Sequence, residues 1–332
     1  MDLLFHLIRR VLPVGLIAGA GFALFSSFAP VITDRVESFG INAVTGDAGL
    51  SALSALPADP PLAAKVELNW NEIELNQGEY SWTSGSNPDL LITGLSAQNR
   101  QIIAVLNGGP VYLVSDPGNA IDQTQLLLRW AAFVQAAVDR YGEQVHDWEI
   151  GSGINTVQGI SPFLYPQNSL AAVRPDPLLY AKLVKTASAV IKNKDPNDEV
   201  WTGSLVGVTS PRCAMNPLTF LLELHGAKAW SALDGIDFAP DRGSALPEEN
   251  TAVNPACTSS LPLDDTSLSG ETRALQELVR QLDGKLIRVS GLGWSTDELS
   301  ALVSSRLLSQ ESLHADLLTR ASIPLLAQNS VP

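Results

Sequence analysis

Recognisable arrangements of side chains for acid–base, nucleophilic or metal chemistry are few in this chain. The four histidines, His6, His146, His225 and His314, lack the short intervals that metal ligands share, so no metal site is read. Gly151-Ser152-Gly153 is too short for the nucleophile elbow of a serine hydrolase. No glycine loop of the dinucleotide or phosphate-cradling type occurs, so no cofactor is expected. Carboxylates remain, chiefly Glu149 in the run His146-Asp147-Trp148-Glu149-Ile150-Gly151-Ser152-Gly153-Ile154-Asn155, with Glu72 and Asp241 in other loops. Paired carboxylates do general acid and nucleophilic work when held at a fixed separation. Yet no Asp or Glu occurs between Ile150 and Pro175, nor between Gly284 and Thr296.

The elements that would position such groups alternate strand and helix. Phe39–Val44, Ala64–Trp70, Gln101–Leu106 and the stretch around Trp148 read as strands, as do Glu199–Leu205, Asp234–Phe238 and Lys285–Val289. Helices are expected over Gly49–Leu56, Leu90–Gln98, Gln123–Tyr141, Leu178–Asn193, Leu218–His225, Thr272–Leu282 and Asp297–Leu308. In Gln123–Tyr141 the residues Leu127, Trp130, Phe133, Val134, Ala137, Val138 and Tyr141 recur at helical spacing. Ile323–Gln328 is read as an eighth strand. Such alternation calls for a parallel sheet, and eight strands with a short tail call for a (β/α)8 TIM barrel lacking its last helix.

The run from Trp148 resembles the fourth strand of clan A glycoside hydrolases of the β-xylosidase and cellulase kind, which reads roughly W-E-I-W-N-E-P-N. Trp148, Glu149, Ile150 and Asn155 match; the family's Trp, Asn, Glu and Pro fall on Gly151, Ser152, Gly153 and Ile154. Trp70, Ile73, Glu74, Gly78, Tyr80 and Trp82 follow the clan's W-x-x-I-E-P-x-x-G-x-Y-x-W, with Leu75 where proline is usual. Ile287-Arg288-Val289-Ser290-Gly291-Leu292-Gly293-Trp294-Ser295-Thr296 resembles I-W-I-T-E-x-G-W-S-T, and Ala239-Pro240-Asp241 stands where His-Pro-Tyr is common. The resemblance implies that the acid/base position is Gly153 and the nucleophile position Gly291. Both expected carboxylates are then glycine. It also implies that the two glycines sit at one end of the barrel.

Glu149 shares strand parity with Gly151 and Gly153, so it points into the barrel about 13 Å below Gly153 at roughly 3.3 Å per residue. A carboxylate there needs partners, for which Lys65 or Asn69 is available. Trp70, Asn71, Asn107, Ser152, Asn155 and Trp294 are the candidates for a surviving glycan-binding groove. Cys213 and Cys257 fall in loops after the fifth and sixth strands, where they either form a disulfide or remain two free thiols.

The chain of 332 residues is 45% hydrophobic, carries only 17% charged residues, and has net charge −14. Phosphates would be repelled, so nucleic acid is not an expected partner. Arg9 and Arg10 precede the uncharged run Val11–Thr33, 23 residues long. That length spans a bilayer, and the basic flank favours an inside N-terminus. A cleaved secretory signal is the alternative, given the small residues around Ser26-Ser27-Phe28-Ala29. Residues 1–35 are thus read as a transmembrane anchor and 36–332 as the barrel. The expectation is a single-pass membrane protein, barrel extracytoplasmic, catalytically inactive and acting as an accessory subunit of a membrane assembly through a protein partner. The alternatives are a carbohydrate-binding protein retaining the cleft for a polysaccharide, and a glycosidase using displaced carboxylates such as Glu72 or Asp241.

Overall fold

The computed structural model describes residues 40–42, 51, 62–114, 118–168, 172–258, 261, 263–294, 298–300 and 309–327. The apolar run Val11–Thr33 lies outside them, as do most of the expected helices Gly49–Leu56 and Asp297–Leu308. Among the described residues no helix is long and apolar enough to cross a membrane.

Seven parallel strands form the frame: β1 (Gly40–Asn42), β2 (Ala63–Asn69), β5 (Ile102–Asn107), β6 (Asp147–Ile150), β7 (Glu199–Thr202), β9 (Gly235–Ala239) and β10 (Leu286–Val289). They pair in chain order, with a short β8 (Leu205–Val206) added against β9. A hairpin of β3 (Glu74–Asn76) and β4 (Glu79–Tyr80) follows the short helix α1 (Trp70–Ile73). The sheet is rolled. Lys65 on β2 lies four strands from Asp237 on β9, about 19 Å across a flat sheet. Their charged atoms are nonetheless 2.9 Å apart.

The helices pack outside, between strands: α2 (Pro88–Ala97), α3 (Gln123–Tyr141), α5 (Pro177–Lys194), α6 (Pro217–Gly226) and α7 (Leu268–Gln281), with one turn, α4 (Ser161–Leu164), in the loop after β6. Their starts are written in the sequence. Asn87, Asp176 and Asn216 each precede a proline, and each side chain accepts a backbone N–H of the first turn. Such a cap is worth about 1 kcal/mol, and proline at the first position costs no intrahelical bond. Helix α3 buries Leu126, Trp130, Phe133, Val134, Ala137, Val138 and Tyr141, so Leu126 rather than Leu127 heads the stripe.

The expected eighth strand is a correction. Ile323–Gln328 lies largely within the helix α8 (Gln310–Ala327), which buries Leu313, Leu317, Ala321 and Leu325 at intervals of four. A short apolar run does not distinguish strand from buried helix, and the four-residue period extending upstream decided the outcome. Among the described residues no strand lies between β10 and β1, and α8 occupies the stretch expected to supply one.

Candidate functional site

Gly153 and Gly291 follow β6 and β10, both at the C-terminal ends of parallel strands. Each has left-handed backbone, φ +58° and +62°. A side chain in that conformation costs roughly 1–2 kcal/mol, so glycine is the residue these turns favour. Their surroundings differ. Gly153 is buried, its N–H donates to Ser204 Oγ at 3.0 Å, and its carbonyl accepts from Thr156 N–H at 2.9 Å. The loop then folds back so that a Cβ on Gly159 would overlap the Gly153 carbonyl. Gly291 is exposed, and an added Cβ would stand 3.2 Å from that of Ala239.

Below the glycines, strand parity turns Lys65, Asp147, Glu149, Asp237, Arg288 and Ser290 into the lumen. Lys65 Nζ lies 2.6 Å from Glu149 and 2.9 Å from Asp237. Arg288 reaches the same two carboxylates at 3.2 and 2.8 Å, with Asp147 at 3.9 Å. Its guanidinium stacks 4.3 Å above the Trp201 ring, and that ring fills the space a Cβ on Gly235 would need. Of the two partners expected for Glu149, Lys65 serves, while the Asn69 amide turns to Glu67 at 3.5 Å.

Burial, then the charge of Asp237, pushes the Glu149 carboxyl up to about 7 against the pull of Lys65 and Arg288. Burial acts the same way on Asp237, but there Lys65 and Arg288 win and its pKa falls below the usual value. Burial opposes the Lys65 charge, yet Asp237 and Glu149 hold its pKa above the ordinary one. Two carboxyls with separated pKa values are the pattern of an acid and a base. Here the side chains of Glu149 and Asp237 are 1% and 0% exposed, so no sugar ring reaches them. They form a buried ion network. Asp237 and Arg288 escaped sequence reasoning; the available signal was a charge alternating with apolar residues inside each strand.

The glycan-binding candidates scatter. Trp70 is fully buried and stacks on Phe133 with centroids 5.1 Å apart. Trp294 is 5% exposed, its indole N–H donating to the Ala245 carbonyl at 3.1 Å. Neither offers a ring face to a ligand. Asn155, also fully buried, binds the Val206 N–H and the carbonyls of Val206 and Met215 at 2.8, 3.0 and 2.8 Å. It pins the loop after β6 to the loop after β8. Asn71, Asn107 and Ser152 remain half-buried at the strand ends. Asn71 Oδ1 crowds Gly108, and Ser152 Oγ lies 3.3 Å from Ser204 Oγ.

Asp241 accepts from Ser210 Oγ at 2.5 Å and from Arg212 Nε at 2.9 Å. Glu72 is half-buried beside Gly85. The loop after β9 is organised by buried Arg242, which donates to the carbonyls of Thr266, Leu246 and Glu249 and faces Glu271 at 3.8 Å. Burial raises the Glu271 carboxyl to about 7. Cys213 and Cys257 are disulfide-bonded, with Cα atoms 4.9 Å apart, tying this loop to the one after β8.

No family model matches the chain, and no curated protein does. Solved structures match its fold. A family 39 glycoside hydrolase from the gut symbiont Bacteroides cellulosilyticus WH2 superposes with TM-score 0.60 at 15% identity, covering 87% of this chain and 53% of that one. A psychrophilic glycoside hydrolase family 10 endo-β-1,4-xylanase gives TM-score 0.55 at 14% identity, with 89% and 84% covered. A monomeric β-xylosidase from Caulobacter crescentus CB15 gives 0.50 at 16%, with 78% and 52% covered. The chain has the α/β fold, with a rolled parallel sheet, of the clan A glycoside hydrolases. It spans about half the length of the family 39 hydrolase and the Caulobacter xylosidase.

Proposed function

We propose that this chain is a glycoside-hydrolase scaffold that no longer cleaves sugars and serves as an extracytoplasmic accessory subunit, held to a membrane by Val11–Thr33. One observation carries the reading: both strand ends at which the resemblance puts a carboxylate present glycine in left-handed backbone. Glycine neither gives a proton nor attacks carbon, and general acid catalysis alone is worth roughly 10²–10⁴-fold. The surviving carboxylates support it, since Glu149 and Asp237 are sealed and Asp241 is engaged by Ser210 and Arg212. The Cys213–Cys257 bond suits an oxidising compartment. Gly15, Gly19 and Gly21 would let the anchor pack closely on a partner's helix.

A panel of activated aryl glycosides should show no turnover above buffer. Turnover that co-purifies with the protein and disappears on Glu72→Gln sinks the inactive reading. In mild detergent the protein should run as a species heavier than its own 35.4 kDa plus detergent; a monomer removes the subunit role.

A second reading, binding of a polysaccharide without cleavage, has one observation in its favour. Asn107, at the end of β5, is half-buried, and its side-chain oxygen has no hydrogen-bond partner among the described residues; a small turn of the side chain would present it to a ligand hydroxyl. Retention on an immobilised polysaccharide that is lost in Asn107→Ala would favour it.

A further inference from the structure

The end of the barrel opposite the glycines sets His146 beside Asp195 and Asp198, the latter 52 residues further along the chain. The register of β6 and β7 pairs Asp147 with Glu199, so His146 and Asp198, one residue earlier on each strand, lie side by side. His146 Nδ1 is 2.7 Å from Asp198 Oδ1. Asp195 is the C-terminal cap of α5, and one ligand-type atom from each of the three residues lies within 4.8 Å of the others.

Each carboxylate is held in place by other groups. Asp198 is 1% exposed, and its second oxygen accepts the Trp148 indole N–H at 3.1 Å. Asp195 Oδ1 accepts the Asn197 backbone and side-chain N–H groups at 2.8 and 3.0 Å. The His146 side chain, by contrast, is 61% exposed and open to solvent ligands, with Nδ1 held to Asp198. A separate feature favours positive charge at this place. The C-terminal end of a helix is electronegative, and the two last-turn lysines of α5 are paired elsewhere, Lys192 with Asp234 and Lys194 with Asp139.

We propose that His146, Asp195 and Asp198 bind a divalent transition ion of the zinc, cobalt or nickel type. An imidazole with two carboxylates suits these borderline ions, whereas calcium and magnesium take oxygen ligands alone. With bonds of about 2.0–2.2 Å, ligand atoms around such an ion stand about 3.0–3.6 Å apart. Binding therefore draws the three groups together, and the exposed His146 has the most room to move. The ion replaces the His146–Asp198 hydrogen bond, and Trp148 and Asn197 remain the groups that orient the two carboxylates. Solvent completes the coordination. The site would fasten the starts of β6 and β7 to the end of α5, on the face of a barrel where residues serve stability. It does not depend on whether the opposite end cleaves or binds sugar.

The test titrates the chelator-treated full chain with Co2+ and Zn2+, following cobalt d–d absorption and calorimetric stoichiometry. One equivalent is expected, with the intense visible bands of a low-coordinate cobalt ion. His146→Gln and Asp195→Asn should each weaken binding at least tenfold while leaving the far-UV circular dichroism unchanged. Asp198 is left intact, because its burial makes folding the first casualty. Absence of binding up to millimolar metal overturns the proposal. So does binding that either substitution leaves unchanged.

Discussion

Gly153 and Gly291 are the same residue with the same hand of backbone, yet they sit in opposite surroundings. Gly153 is enclosed by its own loop, hydrogen-bonded through both its N–H and its carbonyl. Gly291 stands in solvent with only Ala239 close to where a Cβ would be. At the first position a Cβ has room, 3.5 Å from Thr156, and a side chain is opposed by desolvation and backbone together. At the second it stays solvated and is opposed by backbone and by Ala239, whose Cβ would lie 3.2 Å away. The two ends of a lost acid–nucleophile pair, as proposed above, therefore differ in how reversible the loss is.

The largest effect should come from returning the carboxylates. Gly153→Glu buries an unpaired acid and is expected to cost about 4 kcal/mol or more, whereas Gly291→Glu should cost roughly 1–2 kcal/mol of backbone strain and a small shift of Ala239. Urea unfolding of the two variants beside Gly153→Ala and Gly291→Ala checks this. Equal losses for the two Glu variants would erase the contrast.

Next comes Lys65→Met, which removes a shared cation beneath both glycines and leaves Glu149 and Asp237 short of charge. A cost of about 3–5 kcal/mol is expected, as when one partner of a buried pair is removed. A loss below 1 kcal/mol would mean that Arg288 alone satisfies both acids.

The pH dependence follows from Glu149, whose folded pKa is raised from 4.5 to about 7. Its contribution is fully present below about pH 4.5 and is lost as pH rises through about 7. Wild type should therefore lose about 3 kcal/mol relative to Glu149→Gln between pH 4.5 and 8. Asp237, with its lowered pKa, acts oppositely and only below its ordinary range. Parallel stability curves for wild type and Glu149→Gln would show that the carboxyl is not shifted.

Smallest is Asn155→Ala, which frees the Val206 N–H and two carbonyls and unpins the loop covering Gly153. About 2 kcal/mol is expected. Hydrogen exchange should quicken over 151–160 with no change at Gly291; a change at both would couple the two ends.

Much of the frame was legible because its signals are local. The helices read from Leu90, Leu178 and Leu218 start within two residues of those points, at Pro88, Pro177 and Pro217, and the stripe of α3 announces its buried face. What could not be read was set by distant partners. Arg288 and Asp237 look unremarkable in their strands until they pair across β9 and β10 and the sheet rolls to bring Lys65 and Glu149 against them. Trp294 reads as a sugar platform until the loop carrying Ala245 arrives beneath its indole N–H. The segment ending in Ile323-Pro324-Leu325 suits either a strand or a helix end, and packing of Leu317 and Ala321 chose the helix.

The Cys213–Cys257 bond has a mechanical consequence. It closes a covalent loop over a sequence separation of 44 residues that includes all of α6 and β9. Under tension applied at the chain ends, force passes through the sulfur bridge and bypasses that loop. At about 3.4 Å per extended residue, roughly 150 Å of contour length stays hidden until a reductant opens the bond. Helix α6 and strand β9 are thereby shielded from pulling, whatever happens to the strands on either side.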